Sequence, residues 1–401
     1  MLQAFAVTFY GESLASNTLV ALYAMFSVAC LFAPAVTNIL GPRRTLGVGV
    51  LSYVPIPVST LLFVTYGTDG CRTLVVLAGA ISGAGGACMW TAQGRLMLEA
   101  ASVSGDPATS FGIFWAFFST AAIAGGLLTF VFYSLEELDQ GSSPILEPPR
   151  GLFYVYIALM LSAAALSTCV RGSGGGAGSG ESCTAQATWN EEAWHTLKMS
   201  TDPRMLRLAP IFFYSGFNQP YQLDTFGNRF FTARLLGLEL SIFYLLEAVG
   251  GAVAGRMLDR HTSVREKQTA ARRTLALFLS LNTGAAGLAL WHELRAVDPG
   301  GAQPLDVGSA DSITATLAFA LWGFADSQIQ GYIYWLLPHF FEGGATQAHS
   351  ISLYKMMQAL GWMIGFLLVP TDRMAPLAQL VMTWACCVGS TVLAMSRRSL
   401  P

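Results

Sequence analysis

Apolar stretches of about 20 residues, the length a helix needs to cross a bilayer, recur along nearly the whole of this 401-residue chain. Eleven such segments are predicted, the first from Thr18 to Asn38 and the last from Ala375 to Met395. Charged residues make up only 11% of the chain and hydrophobic residues 53%, whereas a soluble domain carries about 25% charged residues. So little charge cannot cover a surface facing water, and the expected fold class is an all-α polytopic membrane protein. The lipid bilayer is then the first expected partner. The net charge of −2 and the absence of any basic tract interleaved with aromatics argue against nucleic acid. The seven cysteines contain no C-x-x-C, so no zinc or redox centre is predicted, and Cys386 and Cys387 read either as lipid-bearing or as packed small residues. No nucleotide-binding G-x-x-x-x-G-K-[ST], no G-x-S-x-G and no H-E-x-x-H occurs, so no enzyme, metal or cofactor is expected.

The longest polar stretch begins at Arg171 with the run Gly172-Ser173-Gly174-Gly175-Gly176 and cannot bury a core. It divides the chain into an N-terminal bundle of five spans (1–170), a linker (171–204) and a C-terminal bundle of six (205–401). Within the linker, Trp189 to Met199 reads either as a short helix lying at the membrane interface or as a solvated one. The C-terminal half joins its second and third spans through Gly255-Arg256-Met257-Leu258-Asp259-Arg260, whereas the corresponding Gly41-Pro42-Arg43-Arg44 follows the first clear span of the other half. The helix missing from a six-plus-six plan is therefore the N-terminal one. Residues 1–17 are too short and polar to replace it, and a truncated gene start is expected, with Glu12 to Asn17 as an outer loop. Placing the linker in the cytosol gathers Arg43, Arg44, Arg95, Arg256, Arg260 and Arg265 on one side, as the positive-inside rule favours, and makes the C-terminus cytosolic.

Two parallel halves, a linker and a G-x-x-x-D-R loop after the second span of a half resemble the major facilitator superfamily. The resemblance implies that Gly255, Asp259 and Arg260, with Arg43 and Arg44 opposite, form a cytoplasmic charge cluster that latches neighbouring helices. The first-half loop lacks an acid before Gly41, which departs from the pattern. Further strings resemble the uncoordinated-type (Unc) ion-channel-regulatory branch and its fungal-type relatives: Gly85 to Gly94 (GGACMWTAQG), Phe217 to Gln222 (FNQPYQ), Phe324 to Gln330 (FADSQIQ) and Tyr354 to Gln358 (YKMMQ). Members of that branch have twelve spans and share no single substrate, and some act by regulating or escorting other membrane proteins.

An ionisable side chain within a span costs about 2.5 to 3.5 kcal/mol to insert, so each is a candidate for function. Asp326 lies mid-span, followed at one-turn intervals by Gln330 and Tyr334, and either binds a proton or cation or serves as polar glue between helices. Glu247 is also mid-span, ahead of Gly251-x-x-x-Gly255, and faces the same choice. Asp224 follows Pro220, which removes a backbone donor and kinks the helix; broken backbone at that depth makes Asn218, Gln219 and Gln222 candidate cavity-lining residues, while Asp224 itself lies nearer the outer end. Lys355, three residues before Gln358, either snorkels to the interface or pairs with Asp326. Gly79, Gly83 and Gly86 are expected to allow close helix approach, and Trp322, Trp335, Trp362 and Trp384 to be anchors or packing.

Two functions follow. One is a transporter that moves a small solute or ion by rocking two bundles about a midplane cavity. The other is a non-transporting protein that regulates or escorts a partner membrane protein or channel.

Overall fold

The computed structural model describes residues 3–104, 107–140, 148–167, 189–259, 261, 263–296, 304–341 and 344–396. Their secondary structure is almost wholly helical. Helices α1 (Ala6–Tyr10), α2 (Glu12–Cys30), α3 (Ala33–Leu40), α4 (Pro42–Leu51), α5 (Pro55–Tyr66), α6 (Asp69–Ser104), α7 (Pro107–Gln140) and α8 (Arg150–Ser167) precede the Gly-rich segment. After it come α9 (Trp189–Met199), α10 (Pro203–Gln219), a π-helical turn (Pro220–Phe226), α11 (Gly227–Phe230), α12 (Ala233–Leu258), α13 (Val264–Arg295), α14 (Ser312–Phe340), α15 (Gly344–Leu368) and α16 (Pro376–Ala394).

Local chemistry sets the breaks. Gly11 and Gly41, at φ 76° and 78°, turn the chain between α1 and α2 and between α3 and α4 in a region that a side chain would strain. Pro55 and Pro57 open α5 where α4 stops. Asp202, Thr232 and Ser263 cap the next helices by accepting the backbone N–H of Arg204, Leu235 and Glu266, and Glu266 closes a capping box. At Pro220 the missing N–H removes one intrahelical bond, and the backbone widens into the π-helical turn there.

Among the described residues nine helical stretches are long and apolar enough to cross a membrane. The two other predicted spans, residues 203–230 and α14, reach the same length but interrupt their apolar run with polar groups. Their position explains that tolerance. From Ala325 to Leu337 every residue of α14 is buried inside the bundle, so none has to face lipid. The outer helices do the opposite and turn bare apolar side chains outward, with Phe117 77% exposed, Leu166 67% and Leu135 58%, a surface suited only to hydrocarbon.

The most extensive helix pairings between the segments before and after the Gly-rich stretch are α7 with α12 and α2 with α15. Small residues make the first of these crossings, and that of α6 with α2, close. A side chain at Gly126 would strike the carbonyl of Gly237, and one at Gly83 would strike the carbonyl of Leu22, which bears out the packing expectation for the glycines of α6. Polar ties add to the packing at one end of the molecule. There Arg234 of α12 bridges Glu137 of α7 (2.5 Å) and Asp306 (2.6 Å), and Glu12 at the start of α2 accepts from the backbone N–H and hydroxyl of Thr371 (both 3.0 Å).

Two expectations are corrected. Glu12 to Asn17 is not a loop but the opening of α2, because Glu12 suits a helix N-terminus and the apolar face of α2 already begins at Ala15. Residues before it are not merely polar: Phe5 and Phe9 are buried against Tyr133 and Phe153 of α7 and α8. Trp189 to Met199 is a helix, as read, and its buried Thr196 bonds His349 of α15 at 2.8 Å, while Trp194 stays exposed.

Candidate functional site

A cavity of about 330 Å³ lies between the helices that precede and follow the Gly-rich segment. Aromatic rings form nearly half of its wall, among them Tyr23, Tyr53, Trp90, Trp115, Tyr244 and Trp362. Its polar lining from the C-terminal half comprises Gln219 of α10, Glu247 of α12, Gln330 of α14 and Lys355 of α15, all four of them residues singled out in the sequence.

Asp326 stands just behind this wall. It is 1% exposed, accepts from Gln330 Nε2 (2.7 Å) one turn along α14, and accepts from Asn218 Nδ2 (3.4 Å) across the interface with α10. The carboxyl of Glu247, also 1% exposed, faces it as a further side-chain hydrogen-bond partner. Two carboxyl groups that hydrogen-bond each other must share a proton, which makes this pair a candidate proton-binding site. Trp115 of α7 reaches Glu247 from the other side of the cavity. Close crossing of α12 and α14 holds the acids together, since any side chain at Gly323 would meet the carbonyl of Phe243, and Gln328 Nε2 donates to the Gly250 carbonyl at 2.5 Å.

Lys355 takes neither of the courses expected of it. It is 3% exposed, so it does not snorkel to the interface, and among the described residues no carboxylate lies within 4.0 Å of its ammonium, so it does not pair directly with Asp326. It donates instead to Gln358 Oε1 (2.9 Å) and lies over the rings of Trp90 (4.7 Å), Tyr354 (4.9 Å) and Tyr334 (5.6 Å). Each ring face offers about 0.5 to 2 kcal/mol to a cation, which helps hold the charge where water is scarce. Trp90 belongs to α6 and the other two rings to α14 and α15, so the cage is closed from both halves.

The remaining candidates divide. Gln219 lines the cavity and accepts from Trp362 Nε1 (2.9 Å). Asn218 sits behind the cavity on Asp326, and Gln222 points into a separate small void beside Tyr214, Asn282 and Trp322. Asp224 is buried at 3% exposure rather than meeting water at the outer end, and its Oδ1 has no hydrogen-bond partner; it is not among the residues that line the cavity. In the expected charge cluster, Gly255 ends α12 buried, Asp259 caps it, and Arg43 and Arg44 are exposed in the first turn of α4; Arg260 lies outside the described residues. Arg95 bonds Asn38 Oδ1 at 2.7 Å, tying α6 to α3.

Several residues of the site were not marked in the sequence. Trp362, expected to be packing, faces the cavity, and Trp115 and Tyr244 were not singled out at all. Glu239, buried at 1% and bonded by Thr316 (2.5 Å), lies within a predicted span and the rule for intramembrane acids would have found it. Glu293 fell one residue past the predicted end of its span. It is buried with Tyr221 (3.0 Å) and Arg229 (3.2 Å) because α13 continues to Arg295. Among the described residues no group of His, Cys, Asp and Glu is arranged to hold a metal.

Residues 16–394 match the sequence model of the family described as ion channel regulatory protein UNC-93. UNC93-like protein 1 of Arabidopsis thaliana is 24% identical over 381 residues, covering 92% of this chain and 79% of the plant protein. An UNC93-like protein of Schizosaccharomyces pombe is 21% identical over 383 residues, 95% of this chain and 74% of the yeast protein. Among solved structures, the partially occluded inward-open xylose transporter XylE of E. coli aligns over 98% of this chain and 92% of its own, with a TM-score of 0.64 and 13% identity. The nucleoside transporter NupG aligns over 98% and 94%, with a TM-score of 0.59 and 12% identity. At these identities the likeness establishes a major-facilitator fold, in agreement with the expectation from sequence.

Proposed function

Because this chain belongs to the UNC-93 family of ion channel regulatory proteins, built on the major-facilitator fold, we propose that it handles a small solute in its central cavity by alternating access and couples that movement to a proton. The observation that carries this reading is the pair of buried acids, Glu247 in the cavity wall and Asp326 just behind it, which we read as sharing one proton. Trp115 reaches Glu247 from α7, and α7 against α12 is a major crossing between the halves. A rocking movement there alters the surroundings of Glu247 and thereby the proton count of the pair, which is how an intramembrane acid couples to conformation.

We take the bundles as 1–170 and 205–401, joined by the linker, with the linker side and the C-terminus cytosolic. The basic residues that collect on that side support the orientation. Gly255, Asp259 and Arg260, facing Arg43 and Arg44, are assigned there as a latch; among the described residues of this region, Lys267 bonds His339 at 3.2 Å beside Asp259. A second reading, regulation or escort of a partner channel or other membrane protein, is favoured by the family's description and needs no solute to cross.

The test is uptake into proteoliposomes under an imposed pH gradient, screened over a panel of small organic solutes. Gradient-driven accumulation of at least one solute, abolished by Asp326→Asn with reconstitution unchanged, is the expected result. Accumulation that ignores the gradient, or an Asp326→Asn protein that accumulates as well as wild type, removes the proton-coupled reading; no accumulation of any solute favours the regulatory one.

A further inference from the structure

We infer that the occupant of the central cavity is a compact zwitterion of the amino-acid type, with an apolar or aromatic body; this rests on the reading of that cavity as the solute site. The unfilled valences at the wall specify it. Gln330 Oε1 is a buried acceptor with no donor among the described residues, and the Glu247 carboxyl lines the same cavity; a buried acceptor left without a donor is costly, so a ligand bearing N–H groups is stabilised beside them. Lys355 is the complement. It is a buried ammonium with three hydrogens that bonds a single oxygen, that of Gln358, and among the described residues has no carboxylate within 4.0 Å. A free carboxylate is the group that such an ammonium lacks.

Charge bookkeeping excludes the simpler ions. With one proton shared by the facing acids and Lys355 protonated, the empty site is neutral. A lone organic cation would satisfy the two acceptors but add an uncompensated charge beside Lys355, and a lone carboxylate would satisfy Lys355 but leave both acceptors bare. Only a ligand with both groups fills every valence and leaves the site neutral. The rest of the wall is rich in aromatic rings, and about 330 Å³ is at the small end for a ligand pocket, which limits the body to roughly the size of an aromatic amino acid.

Three compounds that share one ring separate the alternatives: L-phenylalanine, 3-phenylpropanoate and phenethylamine. Binding to the full-length protein in detergent is read by tryptophan fluorescence, since Trp90, Trp115 and Trp362 line the cavity. Phenylalanine should bind at least about tenfold more tightly than either relative. Lys355→Gln should weaken phenylalanine and phenylpropanoate about ten- to a hundredfold and leave phenethylamine unchanged; Glu247→Gln should weaken phenylalanine and phenethylamine and spare phenylpropanoate. Tighter or equal binding of one of the single-charge compounds, no saturable binding of any of the three, or a uniform loss across all three in both variants would overturn the inference. Equilibrium binding requires no translocation, so specific binding without uptake would refute transport while leaving this assignment standing.

Discussion

Gln330 donates a 2.7 Å hydrogen bond to Asp326 from one helical turn further along α14, with both side chains buried among neighbouring helices. The acid is thus held by its own helix before any other element approaches it. Asn218 completes the arrangement from α10.

Removing that support exposes its worth. Gln330→Leu leaves a buried carboxyl short of a donor and should lower stability by about 1 to 3 kcal/mol. Thermal unfolding in detergent measures it. A Gln330→Glu protein tests the same position with a group that can still bond the acid when protonated, and should recover most of the loss at low pH.

Gly323 is the tightest point between α14 and α12. A Cβ there meets the carbonyl and Cα of Phe243, which are backbone and cannot move aside, so Gly323→Leu should abolish the monodisperse peak in size-exclusion chromatography. Gly287, which has nothing within 4 Å of a Cβ position, provides the control. Gly287→Ala should be neutral or stabilising by up to about 1 kcal/mol, since alanine is the better helix former.

Arg234 joins Glu137 of α7 to Asp306 in the segment between α13 and α14. Arg234→Gln should loosen that end and raise hydrogen exchange in the adjoining turns of α7 and α12 several-fold, with little change at the distant α9. About a quarter of the Arg234 side chain remains exposed, so the wild-type protection should also weaken with added salt.

Asp202 caps α10, and the hydrogen bond from Arg204 holds its carboxyl below the ordinary carboxylate range. A group depressed in the folded state stabilises above its unfolded pKa and loses that contribution as pH falls through its folded value. Asp202→Ala should therefore cost about 1 kcal/mol near neutral pH, and the gap to wild type should narrow in unfolding scans below pH about 4.

Much of this was legible in the sequence because hydrocarbon imposes a length and a composition that few other environments share. Every predicted span falls on helix, including the two that polar residues interrupt, 203–230 and α14, but α6 continues to Ser104 and α13 begins at Val264, each well beyond the apolar run that marked its span. The acids Asp326 and Glu247 stood out for the same reason, as charges in an apolar run. What could not be read was direction around each helix. Gln219 and Gln222 are three residues apart in one string, yet the first faces the central cavity and the second a different void, because the π-helical turn at Pro220 shifts the register between them. Lys355 was misjudged for want of its tertiary partners: Trp90 lies far off in sequence, and no local pattern announces the three-ring cage. Glu12 was misread as loop because one acid among serines resembles a turn as readily as a helix start.

The electrical consequence of the caged lysine concerns membrane voltage. Lys355, Glu247 and Asp326 all reside on helices that follow the Gly-rich segment, so in the proposed alternating-access movement they would travel as one body, its charges cancelling when Lys355 is protonated and the acids share a proton. A potential of 100 mV does about 2.3 kcal/mol of work on a single charge that crosses fully, yet almost none on such a cancelling set. On this arrangement the return stroke proceeds at the same rate in a polarised and a depolarised membrane, and the field acts only on whatever additional proton is aboard.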